Sequence, residues 1–327
     1  MLVEYFNPFE EMIFDENFCF LTGKLTTESV SIFPEWLLEH FKIGDDYLEL
    51  MDKSKSIRYK DLKMPCTAEV KSAFEKLENK VQDAYKNGYE GMKSLPEEQI
   101  FQWVGKMLYG MVYTEMLHEW KRRQKLGREF KISPDLKERF GTFHFMLQSI
   151  VEPIEFKGRK PWSLVIFPLK YSEDIFSYRD DMINLLFTMG VNKFGLIMHM
   201  QDNGAIAEKE SDLLSKMKGY VLHPVQYEEL YAKFHYSDYI LQYKPKYNIE
   251  RSENGITIEA LPMVADEGRP LFGFWDEHTY AQLLSNYWQV YGIEVNDIRQ
   301  FQKPMLSYLQ NPYTLDFINP ETIDLPF

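Results

Sequence analysis

Apolar residues recur at spacings of three and four after Thr67, which is the pattern of an amphipathic helix with one buried face. The residues that share this face are Val70, Phe74, Leu77, Val81 and Tyr85. Gly88 follows the last of them and predicts the end of the helix, because glycine adopts the left-handed conformation that closes helices.

A second and longer helix is predicted between Ser94, as the N-cap, and Gly127. Acidic residues occupy its first turn, and Lys and Arg crowd its last turn, where each charge complements the helix dipole. Its apolar residues lie on more than one face, which is typical of a central helix packed on several sides. A third helix is predicted over residues 134–150 from the same periodicity.

The pattern changes near Pro161, where β-branched and aromatic residues begin to form short continuous runs. Buried strands are predicted at 162–170 and 193–201, with a helix between them at 172–190. Asn254-Gly255 predicts a hairpin turn. Further helices are predicted at 208–218, 225–234 and 275–291.

These elements predict an α+β protein with two domains. Residues 1–150 would hold an irregular start followed by long helices. Residues 151–327 would form a mixed α/β domain.

The formal net charge of −13 opposes non-specific binding to phosphates, although a local basic cluster can still bind them. Two cysteines in 327 residues cannot form a disulfide framework. The first residues lack the basic segment of a signal peptide, and no run of about 18 apolar residues predicts a membrane span. A cytoplasmic protein that does not enter the membrane is therefore expected.

The run SIFPEWL, residues 31–37, lies between the two cysteines and resembles the central motif of the HNH endonuclease family. Zinc-bearing members of that family carry a Cys-x-x-Cys knuckle, a His-Ile-x-Pro-x-Trp-like stretch, a second Cys-x-x-Cys-Asn knuckle and a helix with an acidic residue. The later run FQWVGKMLYG, residues 101–110, is similar to a Trp-x-x-Lys helix that often follows the domain. The resemblance covers residues 19–126 and implies a ββα unit. The positions that carry the knuckles and the motif are Cys19, Thr22, Ser31, Pro34, Trp36, Cys66 and Glu69.

The departures from this pattern concern the residues that would do the chemistry. Ser31 occupies the position of the histidine that activates water, and a serine hydroxyl has no basic form near neutral pH. Each knuckle keeps one cysteine, since Thr22 and Glu69 stand where the second ones would be, and a structural zinc usually takes four Cys or His ligands. The resemblance therefore implies a degenerate domain with no catalytic residue, no metal and no cofactor.

In such a domain apolar packing would replace the stability that a metal supplies. The expected contributors are Phe20, Ile32, Phe33, Trp36 and Leu37. The acidic helix residues would be Glu75 and Glu78.

A purely structural interpretation of the same run is open as well. SIFPEWL would then be a strand end, a proline turn and a short helix, with Pro34 at the first helical position. Trp36 and Leu37 would be core residues, and the two cysteines would be small buried apolar side chains.

Two basic segments stand out against the acidic total. The first, residues 53–63, offers a candidate nucleic-acid surface in which the basic side chains would meet phosphates and an aromatic ring would stack on a base. Its candidate residues are Lys53, Lys55, Arg58, Tyr59, Lys60 and Lys63. The second, residues 121–128, is explained by the preference for cations at a helix C-terminus.

Three functions remain open. The first is a non-catalytic interaction protein, derived from an HNH-like nuclease, that binds nucleic acid or a protein partner. The second is an active metal-dependent nuclease whose base lies elsewhere, for example at His40 or His118. The third is an enzyme of another class in the C-terminal domain, which would show as a pocket with perturbed titratable groups. The sequence contains neither a nucleotide-binding loop nor a Gly-x-Ser-x-Gly motif, and it leaves a small-molecule ligand unknown.

Overall fold

The computed structural model describes residues 5–253, 255–266, 268–300 and 302–326. The described chain combines long helices with several small sheets, which confirms the α+β class. It divides into two compact units. The first unit takes the chain up to Lys157 together with Asp181–Leu185 and Ile249–Ile258, and the second unit takes the remainder.

The helices and strands are numbered in chain order. The α-helices are α1 Pro8–Glu11, α2 Glu35–Phe41, α3 Ala68–Lys86, α4 Gly88–Ser94, α5 Glu97–Lys125, α6 Pro134–Leu147, α7 Ala205–Lys209, α8 Ser211–Lys216, α9 Pro224–Tyr239, α10 Glu277–Trp288 and α11 Val295–Ile298. The strands are β1 Ser29–Ser31, β2 Tyr47–Glu49, β3 Ser56–Arg58, β4 Lys63–Pro65, β5 Ile154–Lys157, β6 Ser163–Phe167, β7 Ser177–Asp181, β8 Leu186–Val191, β9 Phe194–His199, β10 Tyr247–Ser252 and β11 Gly255–Ala260.

The three helices predicted for the first half of the chain are present. Thr67 caps α3 by accepting a hydrogen bond from the Val70 N–H, and the predicted apolar face of α3 is buried apart from Tyr85, whose ring is partly exposed. Helix α5 buries side chains on all sides between Ile100 and Tyr113. Ser94 is not its cap, because a separate short helix, α4, ends at Ser94 and α5 begins after Pro96.

Three small sheets contain strands of the first unit, and two of them are antiparallel pairs. Strand β1 pairs with β4, so that Val30 faces Met64 and Ser31 faces Lys63. Strand β2 pairs with β3, so that Tyr47 faces Arg58. In the remaining sheet β11 lies between β10 and β5, as the predicted hairpin requires, although Asn254 of the predicted turn lies outside the described residues.

A four-stranded sheet in the order β6-β9-β8-β7 forms the centre of the second unit. Helices α9 and α10 pack in its core, where the Trp288 indole N–H donates to the Val225 carbonyl at 3.0 Å. The strands predicted at 162–170 and 193–201 are confirmed as β6 and β9.

The helix predicted at 172–190 is wrong, because this segment forms β7 and β8. The Asp181 carboxylate accepts hydrogen bonds from the backbone N–H groups of Ile183 and Asn184 and so closes a tight turn in the middle of the segment. All six residues of β8 are buried, and an apolar run buried on both faces has no alternation to distinguish it from a helix.

Candidate nucleic-acid interface

The region that contains the motif residues begins with a tight turn around Cys19. The Cys19 N–H donates to the Lys24 carbonyl at 2.8 Å, and the Gly23 N–H donates to the Cys19 carbonyl at 2.9 Å. Gly23 has φ +68°, which glycine adopts without the steric penalty that other residues meet. The Phe20 N–H then bonds the Pro65 carbonyl at 2.8 Å, which ties the turn to β4 beside Cys66.

Cys19 and Cys66 are both fully buried and both free thiols. Burial raises the pKa of Cys66 to about 12, and the neighbouring Cys19 adds to the rise. The Cys66 thiol therefore does not form the thiolate that binds metals at neutral pH. Glu69 is exposed, while the Thr22 hydroxyl oxygen is buried with no hydrogen-bond partner among the described residues.

Ser31 ends β1, and its hydroxyl donates to the Glu35 carboxylate at 3.2 Å. The Ser31 carbonyl accepts a hydrogen bond at 2.7 Å from the Lys106 ammonium, which also pairs with Glu78 of α3. Lys106 is fully buried. Burial lowers the pKa of its ammonium and the Glu78 carboxylate opposes that shift. We call Ser31, Glu78 and Lys106 the lysine centre.

Gly110 allows α5 to approach the motif closely enough for this contact. A Cβ atom at Gly110 would lie 2.6 Å from the Ile32 side chain. Lys106 is four residues earlier and lies on the same face of the helix, so the contact at Gly110 brings the ammonium to Ser31.

The rest of the motif packs as apolar structure. Pro34 is buried and precedes α2 as its N-cap, one position before the first helical residue that the structural interpretation gave it. Trp36 is half-buried, with its ring 5.1 Å from that of Tyr85. The other expected contributors, Phe20, Ile32, Phe33 and Leu37, are buried.

The first basic segment opens onto a groove of about 380 Å³ between β2, β3 and α5, which we call the basic groove. Its basic side chains come from both basic segments, namely Lys55, Arg58, Lys63 and Lys121. Two acidic residues, Glu16 and Asp61, line it as well. Positive charge therefore exceeds negative charge in the groove, against the acidic total of the chain.

Three basic residues of the first segment are exposed and form no ion pair with the described residues, namely Lys53, Lys55 and Lys63. Arg58 bonds Asp61 at 2.7 Å and lies 3.6 Å from Asp45, and Lys60 pairs with Asp45 at 2.5 Å. Ion pairing of this kind fixes Arg58 and Lys60 in place and reduces the charge that they offer to a ligand.

Lys53, Tyr59 and Lys60 lie outside the lining of the basic groove. Tyr59 is half-buried, and its ring packs edge to face on Phe33 with 5.1 Å between the ring centroids. Lys63, in contrast, is the cross-strand partner of Ser31. Side chains of directly paired residues lie on the same side of a sheet, so the groove adjoins the lysine centre through this pair.

Of the two histidines considered as displaced bases, His118 lines the basic groove and His40 does not. His118 Nε2 lies 2.9 Å from the Ser54 hydroxyl and 3.4 Å from Asp52. In a hydrolytic triad the serine and the acid bond opposite ring nitrogens, so this cluster is not one. His40 packs its ring on Phe41 and Tyr85. Over the described residues, no three His, Cys, Asp or Glu side chains are arranged to hold a metal ion.

Sequence reasoning missed Lys106 as part of this region, although Trp-x-x-Lys was part of the resemblance. The signal was a lone lysine inside a helical stretch that is otherwise almost wholly apolar. Such a residue must find a buried partner, because an unpaired buried charge is strongly unfavourable. Tyr47 was also missed, and Lys121 was explained only as a cation at a helix C-terminus, since only the fold brings both beside residues 55–63.

The second unit contains a strongly perturbed carboxyl group, that of Glu228. Burial raises the pKa of Glu228 to about 7, and Arg179, at 3.2 Å, opposes the rise. Only one Glu228 carboxylate oxygen is bonded, while the other is buried without a partner in the described chain. A cavity of about 500 Å³ in this unit is lined by other residues, including Lys170 and His223.

No family model, no curated protein and no solved structure matches this chain. No described helix is long and apolar enough to cross a membrane.

Proposed function

We propose that this chain is a non-catalytic nucleic-acid-binding protein whose first unit contains a degenerate HNH-like domain. The observation that carries the proposal is the basic groove, which joins side chains from two separate basic segments and reaches the position of the missing base through the Ser31–Lys63 pair. In a nuclease descendant, the surface that held the phosphate backbone would lie beside the former catalytic position.

The local topology supports the HNH-like part of the proposal. The turn at Cys19, the β1–β4 pair and helix α3 follow one another in the order knuckle, ββ and α, with Cys66 just before α3. Ser31 lies at the end of β1, where the family's histidine would be.

The lysine centre supports the non-catalytic part. A general base must accept a proton from water, and the Ser31 hydroxyl instead donates to Glu35. The helix acid, Glu78, is already paired with the Lys106 ammonium. The positive partner of the Glu78 carboxylate is therefore a side chain of the protein, that of Lys106.

Binding of labelled single- and double-stranded DNA and RNA, followed by fluorescence anisotropy between 20 and 200 mM salt, tests the proposal. We expect binding that weakens with salt, because each neutralised phosphate releases counterions. The double variant Lys55→Ala/Lys63→Ala should bind about tenfold more weakly and show a salt slope that is shallower by roughly one to two. Lys76→Ala/Lys80→Ala is the matched control, because both lysines are exposed on α3 and lie outside the basic groove.

Absence of binding at 20 mM salt, or equal binding by both double variants, would contradict the nucleic-acid proposal and favour a protein partner. The same mixtures, incubated with Mg²⁺ or Mn²⁺ and separated on a gel, should show intact strands. Cleavage that survives purification to homogeneity would contradict the non-catalytic part.

A further inference from the structure

The basic groove contains an exposed aromatic residue that the sequence did not single out. Tyr47 begins β2, and 68% of its surface is exposed. It lines the groove and is the cross-strand partner of Arg58, so both side chains lie on the same side of the β2–β3 pair.

Tyr59, the aromatic residue of the first basic segment, is less suited to stacking. Its ring is half-buried against Phe33, and it does not line the groove. The ring of Tyr47 takes part in no ring stacking within the described chain, so its faces remain accessible.

The charges in the groove are too few for binding through phosphates alone. Arg58 is paired with Asp61, and Lys121 is paired with Glu16 at 2.7 Å. Lys55 and Lys63 are the basic lining residues with no ion pair to a described residue. A ligand with a second source of binding energy, besides its negative charge, suits this combination best.

Unpaired nucleobases supply that second source. A base in a duplex is stacked on its neighbours and exposes only its edges, whereas a base in a single strand can stack on an aromatic side chain.

We infer that the basic groove binds single-stranded nucleic acid, with Tyr47 as the stacking residue for one unpaired base and Lys55 and Lys63 as phosphate contacts. The inference rests on the proposed function and specifies its ligand. It predicts sequence-tolerant binding, because every base has a face that can stack.

The test compares four 12-nucleotide probes: oligo-dT, oligo-rU, an abasic DNA strand of the same length and a 12-bp duplex. The protein variants are Tyr47→Leu, Tyr47→Phe and, as the matched control, Tyr313→Leu, because Tyr313 is 76% exposed and lies in the second unit. Circular dichroism would check that each variant is folded.

We expect the wild-type chain to bind oligo-dT or oligo-rU about tenfold more tightly than the abasic strand, which corresponds to one stacked base. Tyr47→Leu should lose this preference while it keeps the binding of the abasic strand. Tyr47→Phe and Tyr313→Leu should bind as the wild type does. The comparison of oligo-dT with oligo-rU shows which sugar is preferred.

Equal binding of intact and abasic strands by the wild type, or tighter binding of the duplex, would overturn this inference and leave the proposed function standing. An unchanged preference in Tyr47→Leu would also overturn it. Absence of binding to all four probes at 20 mM salt would overturn both.

Discussion

The Lys106–Glu78 pair of the first unit and the Arg179–Glu228 pair of the second unit each contain a buried charge, and the two pairs differ in how completely their polar atoms are bonded. In the first unit the Lys106 ammonium contacts both the Glu78 carboxylate and the Ser31 carbonyl. In the second unit the Glu228 carboxylate bonds Arg179 through one oxygen, and its other oxygen is buried without a partner in the described chain.

This difference in hydrogen bonding predicts how each buried charge affects the stability of its unit. Desolvation of a charge is repaid only when its remaining donors and acceptors are bonded. The lysine centre meets that condition more fully and joins three segments of the first unit. Glu228 does not meet it, and burial raises its pKa to about 7. Removal of one partner of the first pair should therefore destabilise the first unit. The second pair should instead be a local source of instability in its unit.

The largest expected effect comes from breaking the lysine centre. Lys106→Met should lower the free energy of unfolding by about 3–5 kcal/mol, because it leaves the Glu78 carboxylate without its buried partner. Lys106→Met/Glu78→Met should recover part of that loss, since it removes both charges. Chemical denaturation of the single and double variants measures the coupling between them.

Lys86→Met is the control for this cycle, because Lys86 forms an exposed ion pair with Asp83 that should contribute less than about 1 kcal/mol. A Lys106→Met variant as stable as Lys86→Met would contradict the role given to the lysine centre.

The second largest expected effect is a loss of stability of the first unit at acidic pH. His144 is fully buried in the first unit, where Gln148 donates to its Nδ1 and its Nε2 donates to the Phe20 carbonyl at 2.8 Å. Burial lowers the pKa of His144 to about 4 from an ordinary value of 6.5. Because the folded state disfavours the charged ring, its contribution is complete above pH 6.5 and is lost as the pH falls toward 4. The loss is about 3 kcal/mol.

Hydrogen exchange of the α6 amides between pH 7 and pH 4, corrected for intrinsic rates, measures this loss. His144→Gln should remove most of the pH dependence, and His278→Gln, at an exposed position, should leave it unchanged. A wild-type α6 with equal protection at both pH values would contradict the assignment.

Glu228 should give a pH dependence of the opposite sign. Its folded pKa of about 7 exceeds the ordinary value of 4.5, so stability of the second unit should fall as the pH rises from 4.5 to 7. Glu228→Gln removes this penalty and should stabilise the unit by about 2 kcal/mol at pH 8, because partly exposed Arg179 can be solvated by water instead.

Glu208→Gln, at an exposed carboxylate of the same unit, is the control. Thermal unfolding of both variants at pH 5 and pH 8 separates the effects. Destabilisation of Glu228→Gln at pH 8 would show that the pair with Arg179 outweighs the unbonded oxygen.

The smallest expected effect concerns a buried hydroxyl group that lacks a hydrogen-bond partner. Thr22 has a buried Oγ1 with no partner among the described residues, so Thr22→Val should stabilise the first unit by about 1 kcal/mol. Thr26→Val is the matched control. The Thr26 hydroxyl donates to the Cys66 carbonyl at 2.7 Å, so its removal should destabilise the first unit by a similar amount. Equal changes in the melting temperatures of Thr22→Val and Thr26→Val would contradict this comparison.

The periodic helices and the short buried strands were predictable because their signals are local. The apolar face of α3 follows directly from its spacing, and β6 and β9 follow from their short continuous apolar runs. The segment 172–190 was mispredicted because the turn at Asp181 depends on a side-chain hydrogen bond rather than on a glycine or proline. The meeting of Lys55 with Lys121, and of Lys106 with Ser31, depends on tertiary packing between segments far apart in the chain, which no local pattern encodes.

The hydrogen bond from Lys106 to Ser31 joins residues 75 positions apart, which has a consequence for the order of folding. Helices α3 and α5 can form from local contacts, but the ammonium must lose its water before it reaches the carbonyl. We expect a contact of this kind to form in the late steps, after the transition state for folding. Its loss should then accelerate unfolding while refolding stays nearly unchanged, so that the lysine centre governs how long the folded protein persists.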